Sequence, residues 1–284
     1  MVKYKEVIMK YYGRKVITML MVCVLAFCTL IQPAKLEAKK WDLGLDVQTA
    51  AQLLAGSERI IAEPQFKSGG STNTHQYIVT QALTVLRNDK GSSILQNSSI
   101  ASSLKTYTDW PDKLGNETDF GTFAGHFYNP YTGENILGST SKTALARAVS
   151  YWNQAITSYR SGDITGAIMN LGKGTHYVSD LNEPHHVSDL TALNSNHSAF
   201  EKYVNQNHTS FYIKGNTLAS SYYQETKSQS ISKILKDGAY YAYDLKYKAQ
   251  DESTYYTAGK LSVQHAIINV TQYLYAFGVS VGIY

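Results

Sequence analysis

Between residues 141 and 160, Leu145, Val149, Trp152, Ile156 and Tyr159 recur at spacings of four, three, four and three. That is the apolar stripe of an amphipathic helix. The stripe breaks at Gly162. Asp163 then stands as N-cap to a second one, in which Ile164, Ile168, Leu171, Thr175 and Val178 keep helical spacing. The stretches "THQYIVTQALTVLRND" (74–89) and "ISKILKDGAYYAYDLKYK" (231–248) carry the same period, as does the end of the chain from about Lys260. No proline follows Pro184, so the last part of the chain is free to be helical. Segments 66–73 and 128–141 read as loops from their Gly, Asn, Pro and Ser content. Strand-like alternation is scarce and no internal repeat occurs. The pattern predicts a single all-α domain, a helical bundle.

One apolar run does not fit that bundle. Lys3, Lys5, Lys10, Arg14 and Lys15 precede the apolar run 16–31, and Ala38 offers a cleavage exit. This is the layout of a secretory signal over residues 1–38, and the run is shorter than the ~20 residues of a spanning helix. Residues 39–40 then form a short pro-segment, 41–284 the domain, and the protein is expected to be secreted, monomeric and without an integral anchor.

Setting residues 1–40 aside changes the charge. They hold eight of the 26 Lys and Arg and two of the 22 Asp and Glu, so a formal +4 becomes −2. The basic footprint of a nucleic-acid binder is therefore missing from the folded part. Both cysteines, Cys23 and Cys28, leave with the signal. An exported domain of this size without disulfides depends on a sizeable core or on metals.

The candidate chemistry is concentrated in "HYVSDLNEPHH" (176–186), which holds three of the eight histidines. His176 and Asp180 stand four apart, on one face of a helix, and Pro184 should end that helix so that His186 turns back. "NHSAFEKY" repeats the device with His197 and Glu201. His75 opens a predicted helix and His126 sits in the loop-like "FAGHFYNP". One His-x3-acid pair is commonly a solvated ion pair. Two such pairs with a third histidine beside them point to a multi-zinc site, because imidazole with carboxylate and no thiolate suits Zn²⁺. His185, His208 and His265 lack such partners and read as structural or surface residues.

These motifs resemble those of the bacterial zinc-dependent phospholipases C, the group that includes the clostridial alpha-toxin catalytic domain and the bacillus and listerial phosphatidylcholine-preferring enzymes. "HYVSDLNEPHH" follows the family pattern H-Y-x-[GT]-D with a later P-x-H, departing at Ser179. The resemblance spans roughly 72–284. It implies a helical bundle around three zinc ions. One would be held by the amino nitrogen and carbonyl of a mature N-terminal Trp41 with His75 and Asp180. A second would take Asp112, His126, His176 and the bridging Asp180, and a third His186, His197 and Glu201. Asp112 would also act as base for the attacking water, with Asp109 as the fallback ligand. Trp41 precedes His75 by 34 residues, a longer gap than the family pattern has. Of the residues that would cage a choline headgroup, Phe123 matches while Gly44 and Lys113 do not. The implied activity is a secreted phospholipase C that cleaves phospholipid into diacylglycerol and a phosphorylated headgroup, with no appended β-sandwich domain and weak attack on tightly packed bilayers. The rival readings are a zinc-dependent single-strand nuclease of similar fold and a tyrosine-rich binding protein that uses zinc structurally.

Overall fold

The first helix begins at a side-chain cap that the periodicity does not show. The side-chain oxygen of Asn73 accepts the amide N–H of Gln76 at 2.9 Å, which satisfies one of the free donors of a helix start. From there α1 runs Thr74–Lys90. The structure, a computed structural model, describes residues 73–113, 116–117 and 123–284. The chain divides into two units, and every described residue falls in the second, Leu54–Tyr284. The expected signal, the pro-segment, Trp41 and Gly44 lie outside the described residues.

Four of the other helices start the same way. Asn97 caps α2, Ser98–Thr108. Thr143 caps α3, Ala144–Arg160. Asp163 caps α4, Ile164–Asp180, by accepting from Gly166 at 2.8 Å, and Gly162 supplies the left-handed φ of +87° between α3 and α4. Next come α5, His197–Asn207, and α6, Ser220–Ser228. Ser230 caps α7, Ile231–Asp244, and α8, Lys246–Ala249, and α9, Tyr255–Ser280, complete the bundle. No strand occurs among the described residues.

Three departures from the periodicity have local causes. The stretch 231–248 is two helices, because at Leu245 the N–H turns to the carbonyl of Ala242 at 3.0 Å and tightens the last turn of α7. The last helix starts at Tyr255 rather than near Lys260; its first turns bury the small residues Ala258 and Gly259, which draw no stripe. The serine-rich α2 buries only Leu104 and Thr108, too little apolar surface to show as a period.

At the centre stands α9, whose residues from Asn269 to Gly278 are buried on every side. A helix buried all round is the core of a bundle, and α9 packs on α1, α4, α5, α6 and α7. No described helix is long and apolar enough to cross a membrane. Close approach to α4 is made possible by two glycines. A Cβ at Gly172 would lie 2.9 Å from the Leu104 carbonyl oxygen and 2.7 Å from Tyr107 Cβ of α2. One at Gly174 would collide with the Tyr273 hydroxyl of α9, which is held by the Ala148 carbonyl at 2.8 Å. Both contacts lie within one turn of His176.

Candidate metal centre

Five segments deliver the candidate ligands to one buried place. The first turn of α1 brings His75, and the turn after α2 brings Asp112. The short 3₁₀ turn Phe123–His126 brings His126. The last turn of α4 and the bend behind it carry His176, Asp180, Glu183 and His186; α5 starts with His197 and Glu201. Helix α4 stops at Asp180, and the N–H groups of Asn182 and Glu183 turn back to the carbonyls of Ser179 and Asp180. The chain thus reaches Pro184 already bent, and His186 swings under Asp180.

Asp180, fully buried, is the hub. Its Oδ2 lies 2.9 Å from His126 Nδ1 and 3.3 Å from His176 Nε2. Its Oδ1 lies 3.3 Å from His186 Nδ1 and 3.9 Å from His75 Nε2. Asp112 Oδ1 stands 3.3 Å from His176 Nε2 and 3.8 Å from His126 Nδ1. Asp109 faces elsewhere: its carboxylate accepts both Asn73 Nδ2 at 2.9 Å and Gln76 Nε2 at 2.5 Å, tying α2 to the start of α1. Of the two aspartates in "TDWPDKL", Asp112 is therefore the one beside the imidazoles. On the far side, Glu201 Oε1 lies 2.9 Å from His197 Nε2 and 3.5 Å from His186 Nε2.

Backbone and neighbouring side chains aim these groups. His176 Nδ1 donates to the Thr108 carbonyl at 2.8 Å, which turns the Nε2 lone pair inward. The Phe127 ring packs 4.9 Å from that of His186, and half-buried Phe123 packs 5.1 Å from Phe127 at the edge of the cluster. Glu117, on the loop between Asp112 and His126, receives Arg147 at 2.9 Å and the hydroxyls of Tyr151 and Tyr177, each at 2.8 Å. The three partners tie that loop to α3 and α4.

Charge in so dry a place moves the titrations strongly. Burial alone would raise the Asp180 carboxyl, but the imidazoles of His176, His186 and His126 hold it well below its usual range. Burial also raises Asp112, which His176 nevertheless pulls down to about 2. Burial lowers His186, yet Asp180 raises it to about 10. For His75 burial wins, with His176 adding to it, and its pKa falls to about 3, a neutral imidazole.

His208 and His265 stay outside this network, and His185 touches it through Glu183 and the His197 ring. His185 lies between Glu183 at 2.9 Å and Asn196 at 3.1 Å. His208 bonds the Asn205 carbonyl at 2.6 Å, and His265 bonds Asn182 at 2.7 Å and stacks on Tyr241. One residue of the cluster went unread in the sequence. Glu183, fully buried, joins His186, His197 and Glu201 in a group of converging ligand atoms. Its signal was a carboxylate three residues before His186, in a bend where helical spacing no longer applies.

Comparison with known proteins places this arrangement. The family model "Zinc dependent phospholipase C" matches residues 74–261, which contain every candidate ligand just described. The chain belongs to the zinc-dependent phospholipase C family. It is 26% identical over 240 residues to "Phospholipase C" of Paraclostridium bifermentans, covering 72% of this chain and 58% of that protein. It is 30% identical over 142 residues to "Phospholipase C" of Listeria monocytogenes, covering 46% and 48%. The chain thus spans about half to three-fifths of the length of these relatives. Among solved structures, "Alpha Toxin from Clostridium Absonum" superposes with a TM-score of 0.64 at 24% identity, over 74% of this chain and 65% of the other, which establishes the shared fold.

The cluster fits the metal on which this zinc-dependent family relies. Asp180 Oδ1, both ring nitrogens of His186, His197 Nε2 and Glu201 Oε1 are buried without a hydrogen-bond partner among the described residues. Such atoms are costly unless something else engages them. His126 Nδ1 and His176 Nε2 also lie 3.0 Å apart beside Asp180 Oδ2, a separation that three ligands of one cation can have. Three groups of histidine and carboxylate able to hold a metal ion result: Glu183, His186, His197 and Glu201; His75, Asp112 and His176; and His126, His176 and Asp180.

Proposed function

We propose that this chain is a secreted phospholipase C that binds three zinc ions and hydrolyses the glycerol-side phosphodiester of phospholipids. The observation that carries the reading is the convergence of Asp112, Asp180, Glu183 and Glu201 with five histidines in one buried cluster. Four neighbouring carboxylates repel an anionic phosphodiester. Divalent cations bound there would turn such a place into a phosphate site, and the family is zinc-dependent. Bound zinc neutralises charge on the phosphoryl oxygens and acidifies water near neutral pH.

The proposed ligands are Trp41 and His75 with Asp180 for one ion; Asp112, His126, His176 and Asp180 for the second; and His186, His197 and Glu201 for the third. Trp41 would contribute its amino nitrogen after removal of residues 1–40. Asp112, placed beside His176 and His126, is the carboxylate proposed to take a proton from the attacking water. Phe123, beside Phe127, presents an apolar surface to the lipid. Products are diacylglycerol and a phosphorylated headgroup.

The test is a side-by-side assay of the secreted protein on phosphatidylcholine, sphingomyelin, phosphatidylethanolamine and single-stranded DNA, with and without chelator. Phosphorylated headgroup release that stops on chelation and returns with zinc is expected. Cleavage of DNA alone would replace the reading by the nuclease. Asp112→Asn should reduce lipid hydrolysis at least about 100-fold, the low end for a lost acid–base group. Asp109→Asn, which loosens only the α1–α2 tie, should keep most of it.

A further inference from the structure

Glu183 lies outside the three-ligand set proposed for the third ion, yet it is fully buried against that ion's other ligands. Its Oε2 stands 3.8 Å from His197 Nε2 and 4.0 Å from His186 Nε2. Glu201 Oε1 stands 2.9 and 3.5 Å from the same two nitrogens, so both carboxylates face one pair of imidazoles. Zinc bonds of about 2.0–2.1 Å set four tetrahedral donors roughly 3.3 Å apart, and these separations bracket that value. We propose that Glu183 is a fourth protein ligand of the third ion, closing that site to solvent and substrate.

Local structure supports the assignment. The bend before Pro184 places the Glu183 carboxylate inward. Its Oε2 accepts the His186 backbone N–H at 2.7 Å, and its Oε1 faces His185 Nδ1 at 2.9 Å. Both oxygens are thereby oriented while Oε2 keeps a lone pair toward the cluster. Two carboxylates so close together repel each other unless positive charge lies between them, and a dication held by both supplies it. One dication with Glu183, Glu201 and two neutral imidazoles is formally neutral, a charge balance that suits a site of low dielectric.

A zinc with four protein ligands is the geometry of a structural site, whereas a catalytic zinc keeps a position open. The third ion would then clamp the start of α5 to the bend behind α4, and contact with substrate would fall to the other two ions. The inference rests on the zinc reading above but is read from metal binding rather than from turnover.

The experiment is metal stoichiometry and chelator competition on the full secreted protein, for the unaltered chain, Glu183→Gln, His197→Gln and the double variant. Each single variant should weaken the same one ion by about 10–100-fold or more, and the double variant should weaken no further ion. Glu183→Gln with unchanged affinity, while His197→Gln loses an ion, overturns the inference and leaves the phospholipase reading intact. Lipid hydrolysis that needs no metal overturns the phospholipase reading instead. If Glu183→Gln does not fold, a crystal structure of the unaltered zinc-loaded chain decides. A Glu183 oxygen at about 2.0–2.2 Å from the third ion is expected, and a water interposed between them overturns the proposal.

Discussion

At the scale of single residues, the histidines show how differently one side chain is used. His176 and His265 both sit on helices in the core region, yet His176 turns its Nε2 to Asp112 and Asp180, while His265 has only Asn182 and a tyrosine face. Burial therefore lowers the His265 pKa from 6.5 to about 4. The folded state keeps the ring neutral while the unfolded chain protonates it below 6.5. The stability contributed by the neutral ring is thus complete above pH 6.5 and is lost as pH falls through the window down to about 4. The full shift from 6.5 to about 4 corresponds to at most about 3.5 kcal/mol at about 1.4 kcal/mol per unit, and the ring's partial exposure reduces it. Urea unfolding of the unaltered chain and of His265→Gln, compared between pH 7 and 4.5, should show a smaller acid loss in the variant. Parallel curves would mean that His265 carries none of the acid sensitivity. Lipid hydrolysis at neutral pH should survive this substitution.

At the scale of elements, α4 is the helix around which the site is assembled. Its final turns are buried without interruption from Ala167 to Asp180, apart from two half-buried positions. An interior glycine costs a helix about 1 kcal/mol relative to alanine, so Gly172 and Gly174 need another reason to be there. They let α2 and α9 approach α4 one turn before His176, and α2 then presents the Thr108 carbonyl to His176 Nδ1. Gly174→Ala gains helix propensity yet drives a methyl into the Tyr273 hydroxyl. The expected result is a net loss of about 1–3 kcal/mol, the usual cost of overpacking, measured by denaturant unfolding. The companion change Gly174→Ala with Tyr273→Phe should recover part of that loss. The stripe that announced α4 did not contain this information, since periodicity reports which face is inside and not which helix meets it or how closely.

At the scale of the molecule, metal and fold are coupled. The described residues contain no cysteine, and the cluster ties α1, α4 and α5 to two loops. Each ion that binds only the folded state adds about 2.7 kcal/mol when free zinc is a hundredfold above its Kd. For a domain of this size that is roughly 5 to 11 °C in Tm per ion. Thermal melting of the purified protein with and without chelator should show a drop of at least that size, reversed by added zinc. An unchanged Tm after verified zinc removal would show that the hydrophobic core around α9 holds the bundle without help.

Residue order alone announced the helical class, the cap at Asp163 and the two His-x3-acid pairs. Each is a local property, set by a few neighbouring residues and the 3.6-residue period. The motif resemblance added Asp112, His126 and His75, which local spacing could not connect. Tertiary structure supplied what depends on distant segments meeting: the separation of Asp112 from Asp109, the Thr108 carbonyl that orients His176, and the entry of Glu183 into the cluster. Asp109 and Asp112 are three residues apart with the same side chain. What separates them is that Asn73 and Gln76 of α1 arrive beside one and His126 and His176 beside the other. Glu183 sits in a bend where no helical period carries its direction. Its carboxylate turns inward because the His186 N–H and the His185 ring hold it there, and only packing brings His197 and Glu201 to meet it.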